Sequence, residues 1–197
     1  MQVPTLETER LLLRAWRADD VGAYARIIRH PEALRHWGAG ALYRAKRAAA
    51  ALIAAVSDIE ARRALLAMER HWQRHGFGSW AVEEKDSGAL IGSIGLTQLE
   101  AWTADQASVE VGWLLARSAW GRGFAQEAGR ASLGYAFDQM GLPRVVLVSA
   151  AANARSERTA QRLGMTFVGR TRWKGIDVIW YAMDRGEWVR DSAPGPP

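Results

Sequence analysis

The stretch Val111–Ala125 (VGWLLARSAWGRGFA) constrains this chain more than any other. An apolar run that reads as a buried strand passes through Trp120-Gly121-Arg122-Gly123 and runs without a breaker into a long amphipathic helix. Strand, glycine turn and helix start are the parts of an anion cradle. A helix N-terminus leaves backbone N–H groups without partners, and its dipole favours negative charge. Glycines let that backbone approach a phosphate closely. The same residues also suit a plain strand-to-helix turn that needs flexible backbone, and a Gly-x-Gly pair alone does not separate the two. The turn is not a Walker A loop, because no Gly-Lys-Ser/Thr follows. It is not GxGxxG, because Gln126 stands where the third glycine belongs.

The 197 residues fit one domain, expected over residues 1–190, with a disordered tail at 191–197 (the end reads SAPGPP). The absence of cysteine excludes disulfides, a thiol nucleophile and Cys-ligated metal sites. The N-terminus is charged and lacks an apolar core, and no apolar run approaches the roughly 18–20 residues of a membrane span. A cytoplasmic protein with no membrane association is therefore expected. The net charge of +5 suits anionic ligands or a nucleic-acid-rich neighbourhood, but decides little alone. Ten tryptophans exceed what a core needs. Some are expected to line a groove or an interface, which is compatible with a homodimer.

Strands are expected at Leu11–Trp16, Ser79–Glu84, Leu90–Leu96, Ser108–Leu115, Arg144–Ala150, Thr166–Thr171 and Asp177–Met183. A helix capped by Asp19 or Asp20 follows the first strand, and Glu32–Trp37 reads as a helical turn. Leu42–His75 has no Gly or Pro and reads as two helices with a break near Ser57-Asp58. It carries the small basic cluster Arg44-Ala45-Lys46-Arg47. Gln126–Met140 and Asn153–Leu163 are helices, and Lys174-Gly175 turns the last hairpin. The order describes an α/β fold with a mixed sheet covered by helices.

Few residues suggest chemistry. His71 and His75 share a helix face, but Trp72 occupies the glutamate position of HExxH and no third ligand is evident, so a solvated face is expected and no metal. There is no G-x-S-x-G elbow. Glu110 lies inside a strand run, where a carboxylate needs a partner or a task unless it points to solvent. Asn153 and Ser156 open a helix, where Asn153 is a natural N-cap.

Several stretches together resemble the GNAT N-acetyltransferases: Thr8–Arg14 (TERLLLR), Gly76–Val82 (GFGSWAV), Val109–Trp113 (VEVGW), Trp120–Ala128 (WGRGFAQEA), Asn153-Ala154-Arg155-Ser156 and Leu163-Gly164-Met165. The branch most similar is that of the ribosomal-protein-alanine N-acetyltransferases. The resemblance runs from about Thr5 to Trp188. It implies a mostly antiparallel, seven-stranded mixed sheet, flanked by helices and splayed at an acetyl-CoA cleft. Acetyl-CoA would be the co-substrate, with no metal. Backbone N–H groups of Trp120, Gly121, Arg122, Gly123, Phe124 and Ala125 would hold the pyrophosphate. The strand at Trp113, Leu114 and Leu115 would flank the pantetheine arm, Asn153 would bond it, and Ser156 would lie near the sulfur. The family pattern begins with Gln or Arg where this chain has Trp120. Trp37, Phe77 and Trp80 are the candidate acceptor contacts. Leu42–His75 is longer than its counterparts, and this region shapes the acceptor site.

The implied mechanism is direct attack of an amine on the thioester carbonyl. A strand N–H near Gly112–Leu114 would stabilise the oxyanion, Glu110 would take the amine proton and Ser156 would donate to the leaving thiolate. Tyr135 is a weaker candidate acid. Deprotonating a lysine of pKa about 10.4 at pH 7 costs about 4.6 kcal/mol, against about 1 for an α-amine near 7.8. One carboxylate therefore suits an α-amine, and a protein N-terminus is the preferred acceptor. A small-molecule amine such as an aminoglycoside or polyamine, or a non-catalytic CoA- or RNA-binding module on the same fold, are the alternatives.

Overall fold

The computed structural model describes residues 2–30 and 53–192. The expected turn at 32–37, the basic cluster at 44–47, Trp37 and the last five residues lie outside them. Eight strands form one sheet in the order β1-β2-β3-β4-β5-β6-β8-β7. They are β1 (Leu6–Glu7), β2 (Leu11–Arg14), β3 (Ser79–Glu84), β4 (Ala89–Gln98), β5 (Val109–Leu115), β6 (Arg144–Ala150), β7 (Thr166–Trp173) and β8 (Ile176–Asp184). The sheet exceeds the expected seven strands by the two-residue β1, which pairs with β2 and is too short to show a period.

The helices are α1 (Asp20–Arg29), α2 (Ile53–His75), α3 (Phe124–Gly134), α4 (Ala154–Arg162) and α5 (Arg185–Ser192). Helix α2 passes unbroken through Ser57-Asp58, so the expected break there is absent. Asp58 has no need to cap, because nothing around it interrupts helix propensity. Helix α3 starts directly on Gly123 and ends in a π-helical turn, Tyr135–Gln139. Helix α5 reaches into the stretch expected to be a disordered tail.

All strand pairs are antiparallel except β5 with β6. One face of the sheet is covered by α3, whose Phe124, Ala128 and Leu133 join Trp80, Ile94, Val111 and Leu147 in the main core. The other face carries α1 and α2, where Tyr24, Ile27, Ala61 and Leu65 close over Leu114. Asp20 is not a side-chain cap. Its buried carboxylate takes both Nη atoms of Arg14 at 2.8 Å and the Arg17 N–H at 2.7 Å. Arg14 also reaches Glu83 at 2.7 Å, tying β2, α1 and β3 together.

Candidate active site

Strand β5 pairs with β4 along its whole length, from Gly92↔Leu115 to Gln98↔Val109. Against β6 it has a single pairing, Glu110↔Val146. The two strands therefore part after Glu110. A cleft of about 860 Å³ opens between them, closed by α2, α3, α4 and the β7–β8 hairpin.

The Glu110 carboxylate sits at the fork. Val148 N–H donates to its Oε1 at 3.2 Å. In a regular parallel ladder that N–H would meet a β5 carbonyl; here a side chain takes the place of the missing strand partner. Burial pushes the Glu110 carboxyl up to about 7, against the opposing pulls of the Val148 N–H and the Lys174 ammonium. A carboxylate titrating near neutrality and lining a cleft is suited to accept a proton.

Beyond the fork, β5 presents backbone. Ala116 N–H donates to Ile91 O at 2.8 Å, which fixes the alternation along the strand. Gly112 and Leu114 direct their peptide groups to β4, and Trp113 and Leu115 direct theirs to the β6 side. Trp120 Nε1–H donates to Leu115 O at 2.9 Å. Trp113 keeps its N–H and C=O on the open side, with no strand partner among the described residues. Its N–H is the one donor in Gly112–Leu114 that faces the cleft.

The far end is the glycine turn. Gly121 and Gly123 both have left-handed backbone, at φ of 75° and 83°, where a side chain strains. Gly123 is the N-cap residue of α3 and offers no side-chain cap, so the first N–H groups of the helix stay available. Gly121, Gly123, Phe124 and Ala125 all line the cleft. Arg122 does not: its guanidinium leaves for Glu84 and stacks on the Phe124 ring, leaving only backbone to the turn. Behind the turn, Arg10 donates to Arg122 O at 3.0 Å and pairs with Glu127. This brace joins residues over a hundred positions apart and has no local signature in the sequence. Trp120 is held between Arg117 and Arg155, with guanidinium carbons 4.9 and 4.2 Å from its ring.

Asn153 Oδ1 accepts the Ser156 N–H at 3.2 Å, so Asn153 caps α4 while also lining the cleft. Ser156 is buried beside it. Arg155, Arg158 and Arg162 form a stripe along α4 on the same cleft. Their helical spacing is legible in the sequence.

Two of the candidate acceptor contacts lie elsewhere. Trp80 is 0% exposed, packs against Trp72 and Tyr135, and donates to Pro4 O at 2.7 Å. Phe77 is also buried, and neither lines the cleft. Tyr135 belongs to the same aromatic core and is likewise absent from the lining. His71 does line it, and is not on a solvated face: Nε2 accepts the Gln98 N–H at 3.0 Å, so Nδ1 carries the proton shared with Phe77 O at 2.8 Å. Desolvation lowers its pKa. No metal-binding cluster occurs among the described residues. Among them, no helix is long and apolar enough to cross a membrane.

Residues 10–166 match the model of the acetyltransferase (GNAT) domain. The chain belongs to the GNAT acetyltransferase family. It is an acyltransferase of a fold that uses acetyl-CoA. It is 33% identical to the protein YkkB of Bacillus subtilis over half of this chain and 56% of that one. It is 28% identical to the N-acetyltransferase YoaA of the same organism over 82% of each chain. The solved structure of RimL, a ribosomal L7/L12 alpha-N-protein acetyltransferase in complex with coenzyme A, shares the fold. Its TM-score is 0.71 at 18% identity, covering 92% of this chain and 98% of RimL.

Proposed function

We propose that this GNAT protein moves the acetyl group of acetyl-CoA to a primary amine, with a protein N-terminal α-amine as the preferred acceptor. The observation that carries the reading is the fork itself. A carboxylate with a pKa of about 7, an unpaired strand N–H and a glycine turn at a helix start all line one cleft. Bound acetyl-CoA supplies an acetyl group activated as a thioester. The N–H groups of Gly121–Ala125 suit its pyrophosphate, with the α4 arginines alongside, and Asn153 suits the pantetheine; the Trp120 N–H, also expected to contribute, is donated to Arg117 O at 3.3 Å. Glu110 receives the proton of the acceptor ammonium. The Trp113 N–H is the donor available to a carbonyl oxygen beside Glu110, and the Ser156 hydroxyl is the proton source for a departing sulfur. RimL, by its description, acts on an α-amine, which supports the acceptor class. A single domain working in the cytoplasm, as a monomer or homodimer, accompanies the reading.

The test is thermal stabilisation by acetyl-CoA, followed by release of free CoA with a panel of peptides, polyamines and aminoglycosides. Turnover with peptide N-termini is expected. A protein that binds acetyl-CoA, acetylates no amine and binds RNA with steep salt dependence would be a binding module instead.

A further inference from the structure

Charge is unevenly distributed along the cleft. Its described lining has one carboxylate, Glu110, and four cations, Arg155, Arg158, Arg162 and Lys174. The three arginines stand on α4, next to the glycine turn, where a polyanionic cofactor accounts for them. Lys174 is separate from that group. It belongs to the β7–β8 turn, in the wall formed by Trp173, Ile176 and Val178. Its Nζ rests 4.3 Å from the centre of the Trp173 ring, and it makes no ion pair among the described residues. Its field reaches Glu110.

The backbone there is also informative. Trp173 pairs with Ile176, so the turn has two central residues, Lys174 at φ 48° and Gly175 at φ 80°. Two positive φ values in a two-residue hairpin loop mark a type I′ turn, which favours Asn, Asp or Gly at the first position. A lysine occupies that position against local preference, with its cation held on the cleft wall.

We propose that Lys174 selects acceptors carrying a carboxylate close to the amine that is acetylated, and disfavours polycationic amines. The inference rests on the N-acetyltransferase reading of the cleft. The amine faces Glu110, the apolar body of the acceptor lies on Trp173 and Val178, and its carboxylate meets the Lys174 ammonium. An acidic residue near a peptide N-terminus and a free amino acid both offer this chemistry.

The experiment measures CoA release from acetyl-CoA with three short peptides of equal length, bearing Glu, Gln or Lys next to the N-terminal residue. Free glutamate and glutamine form a second arm that tells a peptide from an amino acid. The acidic acceptor is expected to have about a tenfold higher kcat/KM than its neutral counterpart at low salt, with the lysine peptide poorest. High salt should shrink the difference. Lys174→Asn and Lys174→Asp both suit the turn and keep the fold. The first should abolish the preference and the second invert it, with acetyl-CoA affinity by calorimetry unchanged. A wild-type preference for neutral or cationic acceptors, or a preference that survives both substitutions, overturns the role of Lys174 and leaves the acetyltransferase reading standing. Acetyl-CoA binding without acetylation of any amine overturns both.

Discussion

On one side of the cleft, Gly121–Ala125 offers backbone N–H groups at the start of α3. Elsewhere in its lining, Trp173, Lys174 and His71 offer side chains from elements far apart in the chain. The first side depends on local conformation: two left-handed glycines and a helix start within a few residues. The second depends on tertiary placement, because α2 and the β7–β8 hairpin are distant in the chain and both contribute to one cleft. Backbone recognition is general for a shared co-substrate, and side-chain recognition is free to vary with the acceptor. Glu110 stands where the two meet.

Removing the shared group should have the largest effect. Glu110→Gln is expected to lower kcat by about 10²–10³ while acetyl-CoA affinity stays near wild type. In the wild type, kcat/KM should rise with pH through about 7 and level off, because the ionised carboxylate is the active form. An acceptor amine of low pKa isolates this titration from that of the amine. A variant with full activity and an unchanged profile would remove Glu110 from the chemistry.

Substitution on the backbone side should produce the next largest effect, confined to the co-substrate. Gly123→Val forces a β-branched residue to φ 83° and brings its side chain within reach of Arg10, whose Nη2 lies 3.4 Å from the added Cβ. Acetyl-CoA affinity is expected to fall about tenfold or more by calorimetry. Unchanged affinity would mean that the glycine serves only the turn.

The two sides also differ in how far the sequence reveals them. The glycine turn, the Asn153 cap and the strand carrying Glu110 could be read from neighbouring residues, because each is specified within one element and its junction. The acceptor wall could not. Trp80 and Phe77 looked like groove aromatics, yet both are core; nothing local separates a core tryptophan from the half-buried Trp173. His71 looked solvated because its partners, Phe77 O and Gln98 N–H, appear only once α2 lies against β4. The fork was legible only through resemblance, since a strand does not announce where its neighbour departs.

Smaller effects on stability separate the same residues. The Glu110 carboxyl is raised from 4.5 to about 7 on folding, so between these values the folded state holds more protons than the unfolded. Its contribution therefore weakens as pH rises from about 4.5 to 7, and the charged form is penalised above. Glu110→Gln should raise Tm by a few degrees at pH 8 and change little near pH 4. A variant less stable at pH 8 would show that the carboxylate holds the fork together rather than straining it.

His71 should give the smallest effect, and of opposite sign. Its folded pKa lies below 6.5, so below 6.5 the unfolded state binds more protons and stability falls as pH falls. Burial of the ring is the main cause, and the His75 ring 4.5 Å away adds to it; a proton on Nε2 would also remove the acceptor of the Gln98 N–H. His71→Gln keeps an acceptor and a donor but cannot titrate. It should flatten the acid limb of the Tm–pH curve by about a degree or two, leaving the alkaline limb to Glu110. Separate limbs would mean that the acceptor wall and the fork respond to pH independently, although both line one cleft. An unchanged acid limb would return His71 to a packing role.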